Sequence, residues 1–459
     1  MEGAMRNAFS VKCLLRFGVW ASVWILAAGA AFYGLHLLSI LVPAETVHRR
    51  VSEAFERQNL VPENYPRNRY GLSSNYTLIG LDQFTDGLVV QMALYRNPSR
   101  WRAAFVPKIA MPDTADSTVL KNEFPCQNAL LIASGKARLG ETASYAYTRY
   151  WWGQKVILSL LLVPFDFFQI NNGLKALMYF SFACIGFLAA AYARPWFWPV
   201  FPFVAFGMLF SGIVYYGGLT DSTTFLGSLG MLIGLGIAQH RIRDEGRLAL
   251  FFVVLGNVSA FLYSMRGGHM LFFSGAFVIL YFIAFAQRPV LERYKGILFC
   301  FFAFLVGFAG SHAFRLLVST LWMDPRSVFG DFLHQLKFRI GASFPGTDAR
   351  PFQLVKRELF NFVYATYNSR GLSTFLIATA ASAWVTAVAS AVFRFLKRND
   401  RTVLLNVAAV GMAAVVVAVR ILVFRNHSAV HAWFIGRYMF IPLSLGWTAL
   451  ILALRKETV

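Results

Sequence analysis

Apolar runs of bilayer-spanning length recur along this 459-residue chain and leave little room for any other architecture. Crossing a hydrocarbon core about 30 Å thick takes about 20 apolar residues at the helical rise of about 1.5 Å each. Runs of that kind fall at 14–42, 174–193, 197–216, 222–239, 248–264, 268–286, 296–319, 372–394, 402–423 and 433–454. Backbone polar groups in lipid must bond within their own segment, so each run reads as an α-helix. With 57% hydrophobic and only 14% charged residues, the chain lacks the polar surface a soluble domain of this length needs. The expected fold is an all-α polytopic membrane protein with about ten transmembrane helices.

The basic residues set the expected sidedness. Arg6, Lys12 and Arg16 precede or open the first run. Further clusters follow every second run: Arg194; Arg241, Arg243 and Arg247; Arg288, Arg293 and Lys295; Arg394, Lys397, Arg398 and Arg401; Arg455 and Lys456. Short loops rich in Lys and Arg stay cytoplasmic, so both termini are expected there. The net charge of +21 is thereby spent largely on orientation, not on a basic face for nucleic acid. The first run, Leu14 to Val42, is too long for a secretory signal and reads as an uncleaved anchor. The small residues at 28–31 are what a cleavable signal would use instead. Lys155–Phe168 is short, contains Pro164 and Asp166, and counting it as a span would invert every later cluster. It reads as an interfacial or re-entrant helix on the outer face.

These boundaries divide the chain into an anchor (1–42), an outer-face loop with its interfacial helix (43–173), a transmembrane bundle (174–321), a second outer-face loop (322–371) and C-terminal transmembrane helices (372–459). Aromatic residues among the charges of the second loop suit interfacial helices. Cys13, Cys126, Cys184 and Cys300 are scattered, with neither a disulfide framework nor zinc spacing. The chain has no phosphate-binding Gly-x-x-x-x-Gly-Lys loop, no dinucleotide fingerprint and no Gly-x-Ser-x-Gly elbow.

The candidate chemistry lies in the outer segments. Asp82 and Asp86, in Leu-Asp-Gln-Phe-Thr-Asp at 81–86, are four apart, so one helical turn would put both carboxylates on one side. One could serve as general base, and the other could orient the acceptor or help hold a divalent cation such as Mg or Mn. A solvated surface pair is the plain alternative. Arg149, Tyr150 and Trp151 belong to an aromatic stretch, Tyr145–Gly153, that could stack on a sugar and reach a phosphate, or form an interfacial belt. Asp221, Arg266, His269, His312, Arg315, Asn426, His427, His431 and Arg437 all fall at the outer ends of runs. Ionisable groups at such depth usually line a cavity or pathway, and arginine's planar fork suits phosphate. The alternative is that Arg420, Arg425 and Arg437 snorkel to the interface. His427 and His431 could contact substrate or simply hydrogen-bond within a loop. Asn257 and Asn406 are the main polar residues deeper in the runs.

The layout resembles the GT-C class of integral-membrane glycosyltransferases: a cytoplasmic N-terminus, one helix, a large outer loop with acidic residues, then many spans. The motifs at 81–86, Arg-Tyr-Trp-Trp-Gly at 149–153 and Asn-His-Ser-Ala-Val-His at 426–431 also look like those of uncharacterised bacterial polysaccharide-synthesis membrane proteins. The resemblance implies sugar transfer from a polyprenyl-phosphate donor to a cell-envelope glycan or lipid acceptor, at the outer face of a bacterial inner membrane. It also implies inversion at the anomeric carbon and an outer-loop carboxylate, Asp82 or Asp86, as base or metal ligand. The class often places its acid nearer the first helix in an Asp-Asp or Asp-x-Asp/Glu pattern, which Glu45 and Glu53 do not form. A polysaccharide polymerase of the O-antigen type and a non-enzymatic glycolipid transporter or flippase are the competing readings. The expected partners are the bilayer, the donor and the acceptor, with no nucleic acid.

Overall fold

The computed structural model describes residues 11–62, 84–95, 97, 99–110, 125–136, 144–148, 150–192, 197–211, 218–242, 244–262, 268–341, 350–365, 370–425, 428 and 436–455. In chain order the elements are α1 (Val11–Ile40), α2 (Ala44–Glu56), α3 (Phe84–Leu94), α4 (Arg100–Phe105), β1 (Lys108–Ala110), α5 (Pro125–Ala133), β2 (Ser144–Ala146), α6 (Gly153–Leu161) and α7 (Phe167–Tyr192). Next come α8 (Phe197–Phe210), α9 (Leu219–Arg241), α10 (Glu245–Leu262), and α11 (Gly268–Ile279), which continues as a π turn, Leu280–Ala284. The chain closes with α12 (Val290–Ser319), α13 (Pro325–Ile340), α14 (Pro351–Ala365), α15 (Arg370–Arg398), α16 (Arg401–Val423), a 3-10 turn at Gly436–Met439 and α17 (Phe440–Leu454).

Among the described residues, eight helices are long and apolar enough to cross a membrane: Leu15–Ile40, Phe167–Ala191, Leu219–Arg241, Glu245–Leu262, Val290–Ser319, Gly371–Arg398, Arg401–Val423 and Gly436–Leu454. Two shorter apolar helices, Pro199–Phe210 and Gly268–Ala284, fall where runs were read at 197–216 and 268–286. The protein is a multi-pass, helical membrane protein. The one departure from an all-α chain among the described residues is the small antiparallel ribbon β1–β2, in which Ile109 faces Tyr145.

Helices α10 and α12 pack backbone to backbone. A Cβ on Gly256 would strike the carbonyl of Phe304, and one on Gly307 would strike the carbonyl of Val253. Glycine at both positions lets the two backbones touch, the usual way helices gain contact area in lipid. Away from the outer segments, the turn from α15 to α16 is pinned by charge. Asp400 caps α16 through Val403 N, and Arg394 donates to Asp400 at 2.6 Å and to the carbonyls of Ala453 and Arg455.

The region after α1 is more than a loop. Val47, Val51, Ala54 and Phe55 line one face of α2, the helical period expected of a half-buried helix. They join Val89, Val90, Met92 and Ala93 of α3, with Cys126, Ala129 and Ile132 of α5, in a separate apolar core. That core extends through Trp152 and Leu158 to Leu219 at the head of α9. Helix α6 has nine residues, about 14 Å of helix, too short to cross. Gly153, Gln154, Lys155, Val156, Leu158 and Ser159 of α6 are buried, so it lies against the bundle instead of floating at a lipid surface.

Candidate functional site

Asp86 lies in the first turn of α3, but its carboxylate points at another helix. Oδ2 accepts from Leu219 N at 2.8 Å, and Oδ1 accepts from Thr220 N at 2.9 Å and Thr220 Oγ1 at 2.7 Å. The first amides of a helix have no partner within it and carry the positive end of its dipole, so an anion there is favourable. Asp86 supplies that cap from 133 residues away. Both oxygens are engaged and the side chain is buried, so Asp86 serves as a cap rather than as an accessible base. One residue further on, Asp221 accepts from Arg437 Nη1 at 3.0 Å, with both side chains buried. Asp221, at the outer end of the run 222–239, lies in the first turn of α9, which begins at Leu219. Arg437 does not snorkel, because it is held in the 3-10 turn that leads into α17.

We expect Asp86→Ala to loosen the post-anchor unit from the bundle by about 2–4 kcal/mol, the scale of lost bonds to a charged group. Asp86→Asn, which keeps one acceptor oxygen, should lose less. Proteolysis of the purified protein between α3 and α9 measures this, and equal resistance in wild type and Asp86→Ala would remove the cap from the argument.

A group of basic side chains sits at the same end of the bundle. Arg315 of α12 is fully buried, with Nη1 donating to Tyr33 Oη at 3.1 Å. Its guanidinium lies 5.4 Å from the centre of the Tyr33 ring and 5.5 Å from that of Trp151. Its Nε and Nη2 have no hydrogen-bond partner among the described residues. Buried His36 of α1 lies within electrostatic range of Arg315 and of buried Lys155 of α6. His312, one turn before Arg315, packs on Phe308 at 4.7 Å, and His269 packs on the same ring at 5.2 Å. His269 in turn lies within range of Arg420 of α16. Arg420 is near Arg339 of α13, Glu358 of α14, Tyr150 and Tyr438. Arg339 stands 5.4 Å over the Tyr150 ring, with one terminal nitrogen, Nη1, unpartnered.

Glu358 is held by local sequence. Leu354, Glu358 and Phe362 recur every four residues on α14, and all three are fully buried. That stripe packs toward the Gly436–Met439 turn, α15 and α16. A carboxylate has thus been placed at a core position, beside a cation. Taking such a group out of water costs several kcal/mol unless it is paired, and Arg420 offers the pairing.

Of the residues read from sequence, the structure gathers Tyr150, Trp151, His269, His312 and Arg315 into this cluster. Asp86, Asp221 and Arg437 form the adjacent clamp. Trp151 is a wall of the cluster: it is fully buried, and its Nε1 donates to the Ser311 carbonyl at 3.1 Å, so its face is not open for stacking on a sugar. Asp82, Arg149, Arg266, Asn426, His427 and His431 lie outside the described residues. His36, Lys155, Arg339 and Glu358 were not read as site residues. Among the described residues, no group of three or more His, Cys, Asp or Glu side chains could hold a metal ion.

Comparison with protein-family profiles, with curated proteins and with solved structures finds no match.

Proposed function

We propose that the protein is a membrane glycosyltransferase that takes a sugar from a polyprenyl-phosphate donor and passes it to a cell-envelope glycan or lipid. The observation that carries this reading is Arg315, a fully buried guanidinium with two nitrogens that find no hydrogen-bond partner, and no paired carboxylate, among the described residues. Cation–π contacts of about 2 kcal/mol each do not offset the several kcal/mol that burying a charge costs. An anionic ligand would supply the missing counter-charge. Arg315, Lys155, Arg339 and Arg420 together suit a phosphate, and the apolar helices around them suit a lipid tail. The basic loops at the opposite helix ends orient the cluster toward the exterior of a bacterial inner membrane by the positive-inside rule.

In this reading the acceptor hydroxyl oxygen attacks the anomeric carbon, and the bond from that carbon to the phosphate oxygen breaks. The electron pair leaves with the lipid phosphate, whose growing charge the guanidiniums stabilise. The acceptor proton passes to a carboxylate. Glu358 is assigned that role, because Asp86 is engaged at α9 and Glu358 stands beside Arg420.

The test is release of lipid phosphate by the purified protein in liposomes given polyprenyl-phosphate hexoses and pentoses. Release coupled to a glycosylated product is the expected result. Movement of an intact glycolipid across the bilayer, without release, would overturn the assignment in favour of a flippase.

A further inference from the structure

The guanidinium of Arg315 is tied at one nitrogen, and which nitrogen it is matters. Nη1 donates to Tyr33 Oη at 3.1 Å. Nε and Nη2 have no hydrogen-bond partner among the described residues. In a guanidinium Nε and Nη2 share one edge, and their N–H bonds there point the same way. Nη1 lies off that edge. The open donors of Arg315 therefore form a fork that matches two oxygens of a single anion.

Tyr33 reaches Arg315 because α1 comes close to α12. A Cβ on Gly29, one turn before Tyr33 on the same face of α1, would strike the ring of Phe314, the residue before Arg315. Tyr33 is itself buried, and its ring packs on Phe105 at 4.2 Å, Trp151 at 4.9 Å and Phe314 at 6.2 Å between centres. These three rings fix where its hydroxyl sits. Trp151, anchored through Nε1 to the Ser311 carbonyl, also lies 5.5 Å from the guanidinium. A guanidinium bonded at Nη1 and set against two rings has little freedom to turn, so an anion that binds it has less order to impose. Buried His36 stands one turn beyond Tyr33 on α1, within electrostatic range of Arg315. Neither of its ring nitrogens has a partner among the described residues. Helix α1 thus brings unfilled polar atoms to this group as well as a clamp.

We propose that Tyr33 is a positioning residue: it holds Arg315 so that the Nε–Nη2 edge grips two oxygens of the lipid-borne phosphate. A phosphodiester donor has two non-bridging oxygens, one for each open nitrogen. The inference rests on the glycosyltransferase reading and adds the orientation of its phosphate. Phosphorus is tetrahedral, so with two oxygens on Arg315 the links to sugar and lipid point away from it. Both gripped oxygens are present before and after the sugar–oxygen bond breaks, so the clamp acts on binding.

The test is equilibrium dialysis of the full chain in detergent against labelled farnesyl phosphate. Tyr33→Phe keeps the ring and removes the hydroxyl, while Arg315→Lys keeps the charge and removes the fork. Each alone is expected to bind about tenfold more weakly than wild type. The two together should bind no more weakly than Arg315→Lys alone, because Tyr33 acts through the fork. Wild-type affinity in Tyr33→Phe overturns the proposal, and this comparison decides alone where Arg315→Lys does not fold. A loss in Tyr33→Phe that recurs in full on the Arg315→Lys background also overturns it, since that marks a packing role. In either case, binding that disappears in Arg315→Gln leaves the phosphate reading standing. Equal binding in Arg315→Gln and wild type, or none in wild type, overturns both.

Discussion

Glu358→Gln is expected to lower turnover of a polyprenyl-phosphate sugar by about 10²–10⁴-fold, the usual worth of a positioned general base. Glutamine keeps the shape of the side chain at a fully buried position between Leu354 and Phe362, so the α14 face should still pack. The two roles open to Glu358 separate kinetically. As base, its loss lowers kcat and leaves KM for the donor nearly unchanged. As a mere counter-charge to Arg420, its loss would alter donor binding and move KM instead. A kcat within about threefold of wild type would end the assignment of Glu358 as base.

Arg437→Ala is expected to destabilise the protein by about 3–5 kcal/mol, because it strands the buried Asp221 carboxylate without its guanidinium. The pair lies 216 residues apart in sequence and joins the head of α9 to the turn before α17. Removing both charges together, as Asp221→Asn with Arg437→Gln, should cost much less than removing one, since no charge is then left unpaired. Denaturant unfolding in mixed micelles measures both variants. Equal losses in the single and the double variant would show that the ion pair is not what holds these elements together.

Much of the membrane frame was legible because lipid imposes a rule that can be read from composition alone. The eight candidate spans and two shorter helices fall on runs visible as apolar stretches. Arg288 stands just before α12, and Arg315 lies near the other end of that helix. The site was legible only in part. His312 and Arg315 showed themselves as charges near an outer helix end, where the orientation rule gives no reason for them. Glu358 did not, because a Glu in a long polar segment reads as solvated; the stripe at 354, 358 and 362 was the available signal. His36 was a single histidine in a run otherwise long enough to be a simple anchor. Lys155 read as the polar edge of a short stretch, yet α6 carries it inward. The work of Asp86 could not be read from its spacing to Asp82, since its partners are the amides of a helix that begins at Leu219.

The link from Asp86 to α9 also sets a timetable for biosynthesis. The carboxylate leaves the ribosome 133 residues before the amides it caps. At about 5–20 residues per second this is an interval of about 7–27 s. During that time α3 has been made while α9 does not yet exist. The unit that follows α1 must wait without the α9 bonds of Asp86 and with part of its apolar core uncovered, because Leu219 belongs to that core. Its final closure is therefore a late event, triggered by the insertion of a helix from another part of the chain. Chains halted before α9 should leave this unit sensitive to added protease, while chains that have passed it should not.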